Sequence, residues 1–289
     1  MVVPYGAGGT TDSTGRLFAE HLSTALGQRV VVENRPGVQG NAGSETVTKA
    51  APDGYTLLLS SSALSINPAI GPKPRFDVAK AFQPVVLLTT APNVIVARPM
   101  LGAKTMPDIV KLAKDRPNAI TIGAAQIDTY VELLKRRAGA ELRLVPYRTS
   151  PQALTDALAG HIDLVMAVVP TALPLLSEGD KSLTALAVSS RKRSSVLPAV
   201  PTYAEAGIAD AEIESWFGVH VPSGTPEAII DRLADEGRAF LRSPATASRL
   251  ATLGLDLVDQ GTPETFAAYV TAESNRWLAI AKELNVKAE

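Results

Sequence analysis

The sequence has no cysteine among its 289 residues and only three histidines. That excludes thiol nucleophiles, disulfides and cysteine-ligated metals. The separation of His21, His161 and His220 matches no zinc spacing. No apolar run approaches the roughly 20 residues needed to span a bilayer. An excess of one charge is also missing: 28 basic against 29 acidic residues give a formal net charge of -1. A nucleic-acid partner therefore has no electrostatic support. No Gly-x-Ser-x-Gly elbow exists for a serine hydrolase, no Lys follows the opening glycines as a phosphate loop requires, and the carboxylates are scattered. No secretory signal opens the chain.

What is present is an ordinary globular composition, 46% hydrophobic and 20% charged, on a chain long enough for two α/β domains. Short runs of Val, Ile and Leu alternate with helical patterns, which predicts βαβ units and a mostly parallel sheet. Val2-Val3 opens as a strand. Leu17, Phe18, His21, Leu22, Ala25 and Leu26 then recur at helical spacing up to Gly27. Residues 28–32 read as the next strand and 55–59 as a third, while 85–97 read as strand-turn-strand around Pro92-Asn93. Further strands over 120–123, 142–145, 162–168 and 183–188 alternate with helices near 107–115, 130–138 and 150–159. The tail beyond 216–221 is mainly helical. Extended segments at 94–98 and 217–221 read as paired crossings between domains. Residues 1–98 plus 217–289 then form a discontinuous first domain, and 99–216 an inserted second. Two hinge strands beside a cleft suit a protein that closes on a ligand. Met1-Val2-Val3-Pro4-Tyr5 reads as the end of a buried strand, so an upstream segment with an export signal is expected to be missing from this chain.

Three segments carry chemistry. The first is Gly6-Ala7-Gly8-Gly9-Thr10-Thr11-Asp12, between a strand and a helix. The free N–H groups and positive dipole end of a helix start form an anion site. Gly8 and Gly9 admit a ligand close to the backbone, and Thr10 and Thr11 offer hydroxyls. Asp12 would repel an anion, so it is read as a cap or a tie for the loop. The bland alternative is a plain βα turn. The same loop fits part of a dinucleotide fingerprint, Gly6-x-Gly8-x-x-Thr11 with Glu33 ending the second strand, but its third glycine is replaced. The second segment is Ser60-Ser61-Ser62-Ala63-Leu64-Ser65, read as a loop at the carboxyl end of a strand, where open α/β sheets gather ligands. Such a loop also commonly satisfies its own backbone. The third joins the stretch holding Ala125, Gln126, Thr129 and Tyr130 to Pro146-Tyr147-Arg148-Thr149. Tyr130 and Tyr147 supply apolar walls with polar tips. Arg148 either pairs with a carboxylate or is solvated surface.

With these segments in place, the chain resembles the substrate-binding proteins of tripartite tricarboxylate transporters, the Bug family. The matching stretches include Val3-Pro4-Tyr5-Gly6-Ala7-Gly8-Gly9-Thr10-Thr11-Asp12, Val32-Glu33-Asn34-Arg35-Pro36-Gly37 with Gly40-Asn41, and Ala50-Ala51-Pro52-Asp53-Gly54-Tyr55-Thr56. Val145-Pro146-Tyr147-Arg148, Leu197-Pro198-Ala199-Val200-Pro201-Thr202 and Ser215-Trp216-Phe217-Gly218 follow in family order. The resemblance implies a type II periplasmic binding-protein fold, two α/β domains with a ligand cleft between them. It further implies a periplasmic location, no enzymatic step, no cofactor, and a carboxylate handed to membrane permease subunits. The first loop is expected to hold one carboxylate through Gly8, Gly9, Thr10 and Thr11, with Ser61, Ser62 and Tyr5 beside them. Two departures stand out. The family's Gly/Ser-rich loop and following His are here Ala124-Ala125-Gln126-Ile127-Asp128-Thr129-Tyr130. Its Asp-Asn before the Pro aligned with Pro170 is here Ala167-Val168. Both favour a ligand with a less polar distal end. A monomer is expected of a protein that must diffuse and dock. A dinucleotide-dependent enzyme and a sensing module for a signalling partner are the alternatives.

Overall fold

Short buried strands followed by amphipathic helices give the chain its layers. The computed structural model describes residues 1–125, 128–176, 182–258 and 261–286. Contacts divide it into two compact units. Unit 1 comprises Met1–Thr90, Trp216–Leu253 and Leu257–Glu289, and unit 2 comprises Ala91–Ser215 with Gly254–Asp256. The chain thus passes from one to the other at Thr90 and returns at Ser215, where the sequence places the divisions after 98 and 216.

In unit 1, β1 (Val2–Val3) lies parallel to both β2 (Glu33–Asn34) and β3 (Leu58–Ser61). β3 pairs antiparallel with β9 (Glu214–Pro222), Leu58 opposite His220 and Ser61 opposite Phe217. The helices are α1 (Thr10–Leu26), α2 (Asn41–Thr48), α3 (Ala63–Ile70), the short α4 (Val78–Ala81), α9 (Glu227–Arg242), α10 (Pro244–Thr252) and α11 (Pro263–Leu284). Gly27, in the left-handed region at φ +62°, stops α1, and a Thr262–Thr265 capping box opens α11. Val2, Leu58, Leu87, Trp216 and Phe266 make the core, each contributing roughly 1.5–3 kcal/mol by leaving water.

In unit 2, β5 (Thr121–Ala125) lies between β6 (Arg143–Tyr147) and β7 (Leu164–Val168), all parallel. β4 (Phe82–Ala97) runs antiparallel to β7 and to β8 (Thr184–Val188) over its second half. α5 (Met106–Asp115), α6 (Asp128–Ala138), α7 (Ser150–Leu158) and the short α8 (Val169–Ala172) complete it. Val94, Leu154, Val165, Ala167 and Val188 belong to its core.

Four expectations need correction. The sheet is mixed rather than mostly parallel, because β4 and β9 run against their neighbours. β4 does not turn at Pro92-Asn93. Its ladder with β7 begins at Asn93, so the N–H that Pro92 lacks falls outside the ladder. The Ser-rich stretch is a strand end followed by α3, since Ser60 and Ser61 pair in β3 and the helix starts at Ala63. The strand expected at 28–32 pairs only at Glu33–Asn34.

Candidate functional site

One buried carboxylate ties the loop between β1 and α1. Asp12 is 3% exposed and accepts from Gly8 N at 2.8 Å, Arg16 Nε at 2.9 Å and Asn34 Nδ2 at 2.8 Å. Asn34 also donates to the Tyr5 carbonyl at 3.0 Å, which joins β2 to the loop. Burial pushes the Asp12 carboxyl up, but the bonds from Arg16, Gly8 and Asn34 outweigh it and hold the group below the ordinary carboxylate range. Asp12 therefore anchors the loop. It also uses the Gly8 amide, which is no longer a donor for a ligand.

The donors that remain belong to the helix start. Gly8 is exposed at φ +85°, a conformation that favours glycine. Gly9 is the N-cap of α1, and no side chain caps it. The first amides of the helix, at Thr10 and Thr11, thus have no intrahelical acceptor. Thr10 is half-buried and Thr11 buried.

Behind this loop the Tyr5 hydroxyl lies 2.9 Å from Ser61 Oγ and donates to the Gln39 carbonyl at 3.3 Å. Burial pushes the Tyr5 hydroxyl pKa up, against the bond from Ser61. Asn67 Nδ2 donates to the Gln39 carbonyl at 3.1 Å and to Asn41 Oδ1 at 2.9 Å. These bonds hold Val38 and Gln39 at φ +48° and +50°, unusual for residues other than glycine. A cavity of about 10 Å³ among Tyr5, Ser61, Asn41 and Asn67 has room for about one water. Ser62 is buried at the start of α3, its amide on the Trp216 carbonyl at 3.1 Å. Asn34, Gln39, Asn41 and Asn67 are supports that sequence reasoning missed, although Asn34 and Asn41 lie inside the matching stretches.

In unit 2, Ala125 ends β5, Thr129 lies in the first turn of α6 and Val168 ends β7, all half-buried, and Arg148 is exposed. Gln126 lies outside the described residues. Tyr130 is buried, and Ala167 is fully buried in the core with Val94 and Leu154. Ala167 is thus a packing residue rather than a ligand-facing one, because alternation along β7 carries it with Val165 into the cluster that includes Leu154 of α7. The Tyr147 hydroxyl donates to Asp156 at 2.7 Å. Burial first, then the bond and charge of Asp156, push it up to about 12. Its polar tip serves the unit's own packing.

Among the described residues no group of three His, Cys, Asp or Glu is placed to hold a metal ion. No described helix is long and apolar enough to cross a membrane. Glu33, which a dinucleotide reading would place on a ribose, is exposed and accepts from Arg35 Nε at 2.9 Å.

The family profile described as "Tripartite tricarboxylate transporter family receptor" matches residues 14–286. Protein BugT of Bordetella pertussis is 34% identical, over 99% of this chain and 89% of that protein. Among solved structures, R. palustris Rpa4515 with adipate is 32% identical with a TM-score of 0.84, covering 99% of this chain and 97% of that one. MatC from Rhodopseudomonas palustris with bound malate is 28% identical with a TM-score of 0.77, over 96% and 97% of the two chains.

Proposed function

The chain belongs to the tripartite tricarboxylate transporter receptor family, and from that premise we propose that it captures a small organic acid whose body beyond the bound carboxylate is apolar, an aliphatic dicarboxylate chain or an aromatic ring. It is a periplasmic solute-binding protein with the two-domain α/β fold of such receptors, not an enzyme. The observation that carries the proposal is the uncapped start of α1, held open by Asp12. The Gly9, Thr10 and Thr11 amides, the threonine hydroxyls and the helix dipole all offer positive charge there. A carboxylate is the ligand group that answers it. Tyr5, Ser61 and the water-sized cavity behind them supply the second layer of support.

In unit 2, Val168 and Ala125 carry only methyl groups, which would suit an apolar ligand chain better than a hydroxyl-rich acid. Adipate, the ligand of one relative, has such a chain, whereas malate, the ligand of another, carries a hydroxyl. We assign this chain to the first kind. It acts as a monomer that passes its ligand to membrane permease subunits.

A thermal-shift series tests this. At one hundred times its dissociation constant a ligand adds about 2.7 kcal/mol, a rise of several degrees for domains of this size. Aliphatic dicarboxylates of adipate length or aromatic acids should produce it, citrate should not, and NAD should have no effect. A preference for citrate would overturn the apolar-body assignment. A shift with NAD alone, or with none of the acids, would overturn organic-acid capture.

A further inference from the structure

Unit 1 contains a second cavity, away from the β1–α1 loop, of about 460 Å³. That volume suits a small organic molecule. Its walls come from α3, α4, the start of β4 and α11, and Pro68, Phe76, Phe82 and Val270 make them mainly apolar. Lys73, Asp77 and Asn275, which also line it, are solvent-exposed. Thr271 and Ser274 donate their hydroxyl protons to carbonyls of their own helix, at 2.9 and 2.8 Å.

The buried polar side chain in the lining is His220, 3% exposed. Its tautomer follows from its neighbours. Ser60 Oγ donates to the Gly218 carbonyl at 2.8 Å, so its single proton is committed. At 2.7 Å from His220 Nδ1, Ser60 Oγ must then be the acceptor. The ring carries its proton on Nδ1 and leaves a bare lone pair on Nε2. Burial keeps the ring neutral, with its pKa pushed down to about 3. The Phe82, Trp216 and Phe266 rings surround it, with centroids 6.0, 6.4 and 4.8 Å away. Nε2 has no hydrogen-bond partner among the described residues.

We infer that this cavity binds a small neutral molecule with an apolar body and one hydrogen-bond donor, of the phenol class, whose O–H rests on Nε2 of His220. A carboxylate is excluded by the same geometry, because it would bring lone pairs against a lone pair and a neutral ring has no proton to offer there. The site thus differs in chemistry from the anion loop. It connects to that loop through the β3–α3 segment, where Ser60 holds His220 and Ser61 meets Tyr5.

Histidine-detected nitrogen NMR on the full chain tests the inference, with phenol, toluene and benzoate as probes. The free protein should show His220 as the Nδ1–H tautomer. Phenol should move the Nε2 resonance and bind about tenfold tighter than toluene, the value of one hydrogen bond, and benzoate should leave that resonance in place. His220→Phe should abolish the preference for phenol over toluene. Should that variant fail to fold, Ser60→Ala frees Nδ1 and should weaken the preference in the same direction. An Nε2–H tautomer, a silent Nε2 resonance at saturating phenol, or benzoate acting as strongly as phenol would each overturn the inference.

Discussion

Replacing Asp12 with alanine should destabilise unit 1 by about 2–4 kcal/mol and abolish organic-acid capture. Removing the carboxylate leaves the Gly8 N–H and an Asn34 amide proton without their acceptor, and each such group costs about 1–3 kcal/mol when water cannot replace it. Arg16, half-exposed, returns to solvent and contributes little to the loss. Relief of the buried charge offsets only part, since the bonds to Asp12 already outweigh its desolvation. The pH dependence has a fixed sign. Because the folded pKa lies below the unfolded value of about 3.9, the stabilisation is complete above that value and fades as pH falls through the folded one. Asp12→Ala should therefore flatten the acid side of the stability profile. Urea titrations of both proteins between neutral and acid pH measure it; a change under about 0.5 kcal/mol at neutral pH, the scale of an ordinary surface substitution, would show that the loop has another anchor.

Gly43→Ala is the second large effect. A Cβ there would lie 2.6 Å from the Arg35 carbonyl oxygen and 2.7 Å from Pro4 Cα, both backbone atoms that cannot rotate away. Alanine would gain about 1 kcal/mol of helix propensity, but overpacking typically costs 1–3 kcal/mol and sometimes more. The clash should win by about 1–2 kcal/mol. The damage reaches the site because Pro4 precedes Tyr5 and Arg35 follows Asn34, so acid affinity should fall more than stability alone explains. Gly6→Ala is the control. Its Cβ meets nothing within 4 Å, and it should stay within about 0.5 kcal/mol. Calorimetric titration of the acid found by thermal shift, on both variants, decides the matter. Equal affinities would contradict the coupling.

Much of this was visible in the chain itself. The helices α5, α6 and α7 follow their apolar spacing, and Gly27, Gly139 and Gly160 sit at positive φ just after helices, as stop signals should. The role of Asp12 followed from charge alone: an acid beside an anion site has to be occupied elsewhere. The direction of Ala167 was not legible. β7 is buried on both faces, so Leu164 to Ala167 show no alternation that reveals which side meets the core. Pro92-Asn93 carries a turn signal that the end of a ladder absorbs without a turn. The Ser60–Ser65 stretch looks like a loop because Ser and an interior Pro68 disfavour helix, yet α3 forms because Leu64 packs into the core of unit 1. Asn34 bonds through space from strand β2 to Asp12 of α1, and no local pattern announces such a partnership.

The split composition of unit 1 has a kinetic consequence. Ser60 and His220, neighbours in β3 and β9, are 160 residues apart in sequence, whereas Thr121 meets Arg143 within one helix and two loops. Closing the longer loop costs roughly 2 kcal/mol more in chain entropy. Unit 2 is nearly one continuous stretch of chain, while unit 1 must bring Trp216 and Phe266 into its core from the far side of that stretch. The inserted unit should therefore gather first and the flanking one around it in time. Pulsed hydrogen exchange during refolding reads that order directly: β5 amides should be protected before those of β3, and the reverse would mean that long-range pairing leads.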